Sequence, residues 1–350
     1  MIYDNSLWFQ DIDLVLENYP EFKDLAGSSI LVTGAGGLIC SALVDILIRY
    51  NESHQDTIEI LAGARNLSRL KARFGDFCDR DYFVFVPYDA NNYAMVIPQA
   101  ADFIIHGAGN ASPNKIVKEP VETMLSNFAG LYTLLQYAGQ AGTRRVLYIS
   151  SSEVYGKNND TSPYKETDYG YIDLLSPRNS YSVGKRAAET LCAAYSDEYG
   201  VETVIVRPGH IYGPTASKSD NRVSSAWAYA AANGVNIVMK SDGAQIRSYC
   251  YCLDCASAIL KVLMNGENTG AYNISNPDSV ISIRDMAEIV AKAGNVRLLM
   301  ELPTEEEKRG FNPMSNSSLD STSLQALGWR GIFDATTGFE HTVHLMKSVS

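Results

Sequence analysis

The fold of this chain is decided by the stretch Ser29-Ile-Leu-Val-Thr-Gly-Ala-Gly-Gly-Leu-Ile-Cys40. Its first five residues have the short apolar pattern of a buried strand, and an apolar helix pattern continues to residue 48. A glycine-rich turn between a strand and a helix lets the backbone approach a pyrophosphate, which binds the amides at the start of the helix. The glycines are Gly34 and Gly37, and Cys40 takes the third place, where a small residue allows close packing. The stretch therefore predicts a turn that binds a dinucleotide.

Strand patterns alternate with helix patterns along the chain, which predicts right-handed crossovers and a parallel sheet. These strand patterns cover residues 58–62, 82–86, 102–106, 146–150, 203–207 and 236–239. We expect an α/β fold of the Rossmann type, in which a doubly wound parallel sheet is joined to a smaller C-terminal substrate-binding region. The expected parts are a helical N-terminal extension at 1–27, a dinucleotide-binding domain at 28–208 and 248–275, and a substrate-binding region at 209–247 and 276–350.

Composition excludes several classes of function. With 350 residues, 46% hydrophobic and 20% charged, the chain can bury a sizeable core. Its net charge of −11, with no basic cluster, argues against a nucleic-acid partner. No run approaches the ~18 apolar residues of a membrane span, and residues 1–5 lack the pattern of a signal peptide. We therefore expect no membrane partner and a cytoplasmic location.

The six cysteines stand at irregular positions, a pattern typical of free thiols rather than of a disulfide framework. The spacing Cys250-x-Cys252-x-x-Cys255 offers three thiolates, but no nearby histidine or cysteine supplies a fourth ligand. We expect no metal, and we interpret these cysteines as small buried side chains where a strand enters a helix.

A second stretch carries the candidate chemistry. A strand pattern ends in the polar turn Ser151-Ser-Glu153, and Tyr181 and Lys185 follow at a spacing that places them on one helical face. An ammonium beside a phenol favours the ionised phenol, which predicts a lowered pKa for Tyr181 from its usual value of ~10. Tyr181 is then a candidate general acid and base, and the Ser151 hydroxyl a candidate ligand for a substrate oxygen. The pair alone is weak evidence, because the chain has 21 tyrosines and an ordinary helix would show the same spacing.

The sequence leaves the type of dinucleotide open. The strand at 58–62 is followed by Gly63-Ala-Arg-Asn66, without the acid that usually binds the ribose diol of NAD. Arg65 could instead meet the 2′-phosphate of NADP, or it could be a solvated arginine at the start of a helix. We expect NAD and keep NADP as the alternative.

With these motifs in place, the chain resembles the extended short-chain dehydrogenase/reductase family, in its nucleotide-sugar epimerase/dehydratase/decarboxylase branch. The resemblance runs from about Ser29 to Trp329 and rests on the order of its motifs. These motifs are Thr33-Gly-Ala-Gly-Gly-Leu-Ile, Asp89-Ala90, His106-Gly-Ala108, Asn127, Ser150-Ser-Ser-Glu-Val-Tyr-Gly156, Tyr181-x-x-x-Lys185, Arg207-Pro-Gly-His-Ile-Tyr-Gly-Pro214, Arg247 and Leu319-Asp-x-x-x-Leu-x-x-Leu-Gly-Trp329.

The resemblance implies an NAD(P)-dependent enzyme that oxidises C4 of a nucleotide-diphosphate sugar. In such an enzyme Tyr181 takes the proton of the 4-hydroxyl, Ser151 binds the same oxygen, and Lys185 binds the nicotinamide ribose and lowers the pKa of Tyr181. The implied cofactor-binding residues are Gly34, Gly37, Leu38, Ile39, Arg65, Asp89, Ala90, Gly107, Ala108, Tyr181 and Lys185. The implied substrate-binding residues are Ser112, Asn127, Ser151, His210, Arg222 and Arg247. The helices that carry Asn127 and Tyr181 commonly form a dimer interface in this family, so a homodimer is expected.

Glu153 is the fourth implied catalytic residue, and its carboxylate limits which reactions of this family the chain could catalyse. Enzymes resembling the UDP-galactose 4-epimerases usually carry a small or neutral residue there, whereas decarboxylases and 4,6-dehydratases carry a carboxylate. The residue before it, Ser152, stands where dTDP-glucose dehydratases typically have an aspartate, although GDP-mannose dehydratases tolerate serine. The segments 111–113, 119–123 and 220–223 look like those of UDP-glucuronate decarboxylases.

The leading hypothesis is therefore decarboxylation or epimerisation of a UDP-hexuronate through a 4-keto sugar. A 4,6-dehydratase is the alternative within this branch, and an NADPH-dependent carbonyl reductase is a second class, favoured only by Arg65. A non-catalytic member of the family is a third class, against which the presence of Ser151, Tyr181 and Lys185 argues. Departures from the family pattern are His210 in place of asparagine, Cys40 in place of glycine, and the missing acid.

Overall fold

The structure is a computed structural model. It describes residues 2–93, 97, 99–158, 162–302, 304 and 315–347. Residues 303, 305–314 and 348–350 of the predicted C-terminal region lie outside this description.

The core of the molecule is a seven-stranded sheet with the order β10-β6-β5-β4-β1-β2-β3, in which every neighbouring pair is parallel. Its strands are β1 Ser29–Thr33, β2 Glu59–Ala64, β3 Phe83–Pro87, β4 Phe103–His106, β5 Arg145–Ile149, β6 Thr203–Pro208 and β10 Ala271–Ile274. β1 pairs with both β2 and β4, so the strand order reverses beside its carboxyl end. A crevice opens at such a reversal, and ligands of doubly wound sheets bind there. The predicted Rossmann-type sheet is confirmed.

Helices cover both faces of this sheet. The helices of the described residues are α1 Ser6–Asn18, α2 Leu38–Ser53, α3 Leu67–Phe74, α4 Pro113–Lys118, α5 Pro120–Ala141, α6 Ser180–Tyr199, α7 Val223–Ala232, α8 Cys252–Asn265, α9 Ile283–Gly294, α10 Thr322–Ala326 and α11 Ala335–Lys347. Alternate residues of β1 face opposite sides, so Ile30 packs in one apolar cluster with α2 and α8, and Leu31 in another with α5 and α6. Because both faces are covered, most residues in the middle of these strands are apolar, whereas polar residues such as Thr33, His106 and Arg207 lie at or near the strand ends.

Two small sheets lie outside the central one. β9 Ile246–Tyr251 pairs with β7 His210–Tyr212, β11 Val280–Ser282 and β13 Asn316–Ser317, and β8 Ile237–Met239 pairs with β12 Leu298–Met300. The strand predicted at 236–239 is therefore present but does not join the central sheet. β9 runs directly into α8, where Cys250, Cys252 and Cys255 are buried free thiols. The residue boundaries proposed for the two large regions stay a prediction.

The N-terminal extension packs as the predicted helix. Ile12 and Val15 of α1 are fully buried in the cluster shared with α2 and α8. Asp11 accepts hydrogen bonds from Tyr251 at 3.0 Å and contacts His341 Nδ1 of α11 at 2.9 Å. The extension is thus fastened to residues near the other end of the chain. No helix among the described residues has the length and apolar character needed to cross a membrane.

Candidate active site

The glycine turn after β1 is built around Gly34. Its φ is +73°, a conformation that side chains rarely adopt, and a Cβ placed there would lie 3.0 Å from the backbone of Gly107 and Ala108. Its amide donates to the carbonyl of Gly63 at 2.8 Å. The turn after β1 therefore touches the turn after β4, and both lie at the reversal of strand order.

The amino end of α2 opens onto this turn. Gly37 is the residue that caps the helix, and it has no side chain to occupy the first amides. Gly36 and Gly37 are exposed, whereas the helix behind them is buried. Such an end favours a bound anion, because the amides and the helix dipole both point at it. The turn with Leu38 and Ile39 therefore fits the pyrophosphate of a dinucleotide.

Cys40, the departure from the glycine pattern, is accommodated by Gly107. The cysteine is 3% exposed, and its Sγ lies in the space that a Cβ on Gly107 would fill. The missing glycine in one turn is thus matched by a glycine in the neighbouring turn, which explains why the helix still packs on the sheet. Burial raises the pKa of the Cys40 thiol to about 12, so the group stays protonated at neutral pH.

The ends of β1 and β4 are tied together by a buried hydroxyl. Thr33 Oγ1 contacts His106 Nδ1 at 2.7 Å and accepts from the amide of Ala108 at 3.3 Å. Burial, reinforced by the charge of Lys185, lowers the pKa of His106 to about 3, so this imidazole is neutral. The contact fixes the Gly107–Ala108 backbone beside the glycine turn.

The remaining implied cofactor residues lie further along the same edge. Asp89 is half-buried after β3, and Ala90 lies so close to α5 that a Cβ on Gly130 would sit 2.8 Å from its carbonyl oxygen. Arg65 is exposed in the turn between β2 and α3, beyond the glycines. The carboxyl-terminal edge of the sheet thus supplies a site for an anion and a surface on which a dinucleotide can lie.

Tyr181 and Lys185 stand on one face of α6, as their spacing predicts. The tyrosine is 8% and the lysine 7% exposed. Lys185 Nζ donates to the carbonyl of Ile149 at 2.6 Å and lies 5.6 Å from the centre of the Tyr181 ring. Ser151, two residues beyond Ile149 at the end of β5, forms a side-chain hydrogen bond with Tyr181. The phenol, the ammonium and the strand-end hydroxyl therefore converge.

The expected lowering of the pKa of Tyr181 is wrong for this structure. Burial raises the pKa of Tyr181 to about 12; the hydrogen bond from Ser151 lowers it, Glu153 raises it, and Arg222 lowers it. Desolvation of the phenolate outweighs these neighbours because the phenol is enclosed. Burial also lowers the pKa of Lys185 to about 7, so its ammonium is a weaker source of positive charge than an exposed lysine.

Glu153 lies close enough to the phenol to act on it. The carboxylate is exposed at the mouth of the site, in the turn Ser152–Tyr155 that follows β5. Ser182, the residue after Tyr181, donates its hydroxyl hydrogen to Glu153 Oε2 at 3.1 Å. The carboxylate is thus held beside the tyrosine while one side remains open to water.

Three implied substrate residues, His210, Arg222 and Arg247, lie near one another, and Arg222 is also near the phenol of Tyr181. Arg222 acts electrostatically on both Tyr181 and His210, and it forms an ion pair with Asp220 in which its Nε lies 3.0 Å from Oδ1. His210 pairs with Tyr249 across β7 and β9, and Arg247 is 4% exposed two residues earlier in β9. Burial, reinforced by both arginines, lowers the pKa of His210 to about 4. The arginines make this side suitable for an anionic group.

Asn127 of α5 lies beside the turn after β4, and Ser112 lies in the segment that leads from that turn to α4. Asn127 is fully buried on α5, donates to the carbonyl of Thr123 at 2.7 Å and accepts from the Tyr148 hydroxyl at 3.4 Å. Its oxygen lies 3.2 Å from the position of a Cβ on Gly109. Ser112 is half-buried immediately before α4. Asn127 therefore joins α5 to the turn after β4.

Glu189 also belongs to this neighbourhood, although it was not predicted from the sequence. Its carboxylate accepts from Ser150 at 2.5 Å and from two nitrogens of Arg207. The available signal was its position four residues after Lys185, which places both on one helical face. The contact with Arg207 could not be read from the chain because it depends on how α6 lies on β6.

The comparisons with known proteins agree with this architecture. Residues 30–275 match the NAD dependent epimerase/dehydratase family. The chain is 32% identical over 302 residues to UDP-glucuronic acid decarboxylase 6 of Arabidopsis thaliana, which covers 86% of this chain and 83% of that protein. It is 27% identical over 337 residues to UDP-glucuronic acid decarboxylase 1 of Xenopus tropicalis, covering 95% and 76%. The solved UDP-glucose 4-epimerase of Thermus thermophilus in complex with NAD has the same fold, with a TM-score of 0.76, 22% identity and coverage of 92% and 100%.

Proposed function

Because the chain belongs to the NAD-dependent epimerase/dehydratase family, we propose that it oxidises C4 of UDP-glucuronate and decarboxylates the resulting 4-keto sugar. The observation that carries this proposal is the convergence of Tyr181, Lys185 and Ser151 at the end of β5, with the Glu153 carboxylate beside them. The likeness to UDP-glucuronic acid decarboxylases supports the choice of substrate.

The residues of this chain would divide the work of the first step. Tyr181 accepts the proton of the 4-hydroxyl, and Ser151 donates a hydrogen bond to the same oxygen. The Lys185 ammonium lies 5.6 Å from the centre of the Tyr181 ring, where its positive charge opposes the burial that raises the pKa of the phenol to about 12. Bound NAD, held by the glycine turn and the amides of α2, would accept the C4 hydrogen as hydride and return it to the product.

In the second step, the carboxylate group of the 4-keto sugar leaves as carbon dioxide. A ketone at C4 stabilises the electrons that remain when the neighbouring carboxylate leaves as carbon dioxide, so no further oxidant is required. Arg222 and Arg247 supply positive charge on the substrate side, for the diphosphate or for the uronate carboxylate. Glu153 is exposed beside Tyr181, where its carboxylate can accept or deliver a proton at the reacting sugar.

Glu153→Gln tests the role of that carboxylate. We expect turnover of UDP-glucuronate to fall about 10²-fold, because the amide can neither accept nor deliver the proton. The near-ultraviolet absorbance of reduced nicotinamide should then rise and persist, since oxidation at C4 continues while the later step is slowed. Stopped-flow absorbance with substrate in excess measures both effects.

The matched control for this variant is Ser182→Ala, which removes the hydrogen bond to Glu153 and keeps the carboxylate. It should retain most of the activity. Unchanged turnover in Glu153→Gln would remove Glu153 from the mechanism.

Mass spectrometry of the reaction products tests the proposed substrate. Purified enzyme is incubated separately with UDP-glucuronate, UDP-glucose, dTDP-glucose and GDP-mannose. We expect loss of carbon dioxide from the uronate and no change in the hexoses. Loss of water from a hexose would establish a 4,6-dehydratase instead. An unchanged mass in all four incubations, with no epimer resolved by chromatography, would favour the carbonyl reductase or a non-catalytic member of the family.

We also propose a homodimer that buries the outer face of α5. Five apolar side chains on this helix are exposed at helical spacing, namely Val121, Met124, Leu125, Phe128 and Tyr132. α5 packs lengthwise against α6, so a second copy could align both helices with its own.

Phe128→Glu is expected to convert the dimer into monomers, because Phe128 is 40% exposed in the middle of this face and a buried carboxylate would lack a partner. Size-exclusion chromatography with light scattering measures the change. Val235→Glu is the matched control, since Val235 is 56% exposed in the segment between α7 and β8, away from α5. Equal masses for both variants and the unaltered chain would contradict this interface.

The parts of the molecule are assigned as follows in this proposal. Residues 28–208 and 248–275 bind NAD, residues 209–247 and 276–350 bind the sugar nucleotide, and the cytoplasm is the compartment. All six cysteines lie in the described part of the chain as free thiols, which suits a reducing compartment.

A further inference from the structure

Glu189 and Arg207 form a buried ion pair next to the catalytic pair of α6. Arg207 Nε and Nη2 donate to the two carboxylate oxygens of Glu189 at 3.0 and 2.7 Å. The arginine side chain is 2% exposed and that of the glutamate 10%. A bidentate pair shielded from water holds one geometry, because any displacement leaves a buried charge without its partner.

The carboxylate and the Lys185 ammonium are bound to neighbouring residues at the end of β5. Ser150 Oγ donates to Glu189 Oε1 at 2.5 Å, and Lys185 Nζ donates to the carbonyl of Ile149 at 2.6 Å. Lys185 and Glu189 are also four residues apart on α6 and share a face. The strand end thus fixes the distance between a negative and a positive group.

Arg207 is itself held in place by hydrogen bonds to residues other than Glu189. Its Nη1 donates to the carbonyl of Glu166 at 2.7 Å and to the Tyr155 hydroxyl at 3.1 Å. These contacts come from the turn after β5 and from the loop that follows it. The arginine that pairs with Glu189 is therefore itself held by the turn after β5 and by the loop that follows that turn.

We propose that Glu189 is a positioning residue that keeps the Lys185 ammonium charged and in place beside Tyr181. Burial lowers the pKa of Lys185 to about 7, and the Glu189 carboxylate opposes that effect. A lysine that loses its proton also loses its charge toward the phenol and one of its N–H donors. The inference rests on the proposed function only in assuming that Lys185 serves the reaction.

Several titratable groups in the described part of the chain face Lys185, and Glu189 is the one carboxylate among those described groups. These groups are Tyr181, Glu189 and Cys192 on α6, Tyr148 on β5, His106 on β4 and Cys40 on α2. Burial raises the pKa of each thiol and phenol, and it lowers that of His106, so these five groups are neutral near pH 7. The negative charge felt by Lys185 therefore comes from Glu189.

A titration of Lys185 by nuclear magnetic resonance tests the proposal directly. The 350-residue chain is labelled with a heavy carbon isotope at lysine Cε, and Lys185→Arg identifies the resonance. We expect the midpoint of Lys185 to fall by about one pH unit in Glu189→Gln. In Glu189→Asp the midpoint of Lys185 should return most of the way to its value in the unaltered chain, because the aspartate keeps the negative charge. An unchanged or raised midpoint in Glu189→Gln would overturn the proposal.

Arg207→Lys separates this effect from a general loss of structure. It keeps both charges and breaks the bidentate geometry, so we expect lower thermal stability and an unchanged midpoint for Lys185. A fall equal to that of Glu189→Gln would show that the midpoint reports the fold instead.

If Glu189→Gln fails to fold, the double variant Glu189→Gln with Arg207→Gln removes both buried charges. Its midpoint should fall in the same direction by a smaller amount, and no fall would overturn the proposal.

The same variants give a readout in the reaction. Activity that needs charged Lys185 declines as pH rises through the pKa of the lysine, so this alkaline decline should begin at lower pH in Glu189→Gln. The magnetic resonance titration requires no substrate, so failure of the proposed reaction would leave its outcome intact. A shifted titration with an unshifted pH profile would show that the charge is tuned but is not used in turnover, and it would overturn the assigned positioning role.

Discussion

Tyr181→Phe should lower turnover of UDP-glucuronate about 10³-fold while leaving the fold and the affinity for NAD unchanged. The hydroxyl hydrogen-bonded to Ser151 is the group that would accept the substrate proton, and phenylalanine fills the same enclosed space without it. Steady-state turnover, thermal unfolding and titration with NAD measure the three properties separately.

The matched control is Tyr195→Phe. Tyr195 lies on the same helix and is 9% exposed, and its ring contacts Tyr132 and Tyr199 rather than the candidate site. This variant should keep full activity. If Tyr181→Phe retained turnover within about tenfold of the unaltered enzyme, another group would have to be the acid and base.

Gly34→Ala should reduce both stability and NAD affinity. The new Cβ would lie 3.0 Å from the backbone of Gly107 and Ala108, at a φ of +73°. We expect a loss of about 1–2 kcal/mol in the free energy of unfolding from the backbone conformation alone. The turn must also shift away from the bound dinucleotide, so NAD affinity should fall at least about tenfold. Thermal unfolding and isothermal titration calorimetry measure these changes.

Gly36→Ala is the control within the same turn. Its Cβ would contact only the Leu70 side chain, at an ordinary 3.6 Å, and its φ is not in the left-handed region. Stability should therefore stay close to that of the unaltered chain. Equal losses in the two variants would show that the close approach of the turns after β1 and β4 does not set the shape of the site.

Much of the fold was predictable because its signals are local. The stretch 29–40 combines a strand, a glycine turn and a helix, and the alternation that follows allows few topologies besides a parallel sheet. Strand pairing is less local, which is why the sequence predicts a strand at 236–239 but does not predict its pairing with 298–300. Short apolar runs identify a strand without identifying its neighbour.

The site was predictable as a set of residues but not as an electrostatic environment. Tyr181 and Lys185 share a face of α6 because of their spacing alone. The raised pKa of Tyr181 depends on how completely the phenol is enclosed, and that depth is a property of packing. Glu189 and Arg207 are 18 positions apart and meet only because α6 lies on β6. Such contacts leave no periodic trace in the sequence.

The most direct test of the proposed chemistry uses UDP-glucuronate that carries deuterium at C4. The mass of the product reports both events, removal of the C4 hydrogen and loss of the carboxylate. We expect a product that has lost one carbon dioxide and has kept the deuterium, and we expect the deuterium to slow turnover. An unchanged mass, a loss of water, or decarboxylation with no effect of the deuterium on rate would contradict oxidation at C4 followed by decarboxylation.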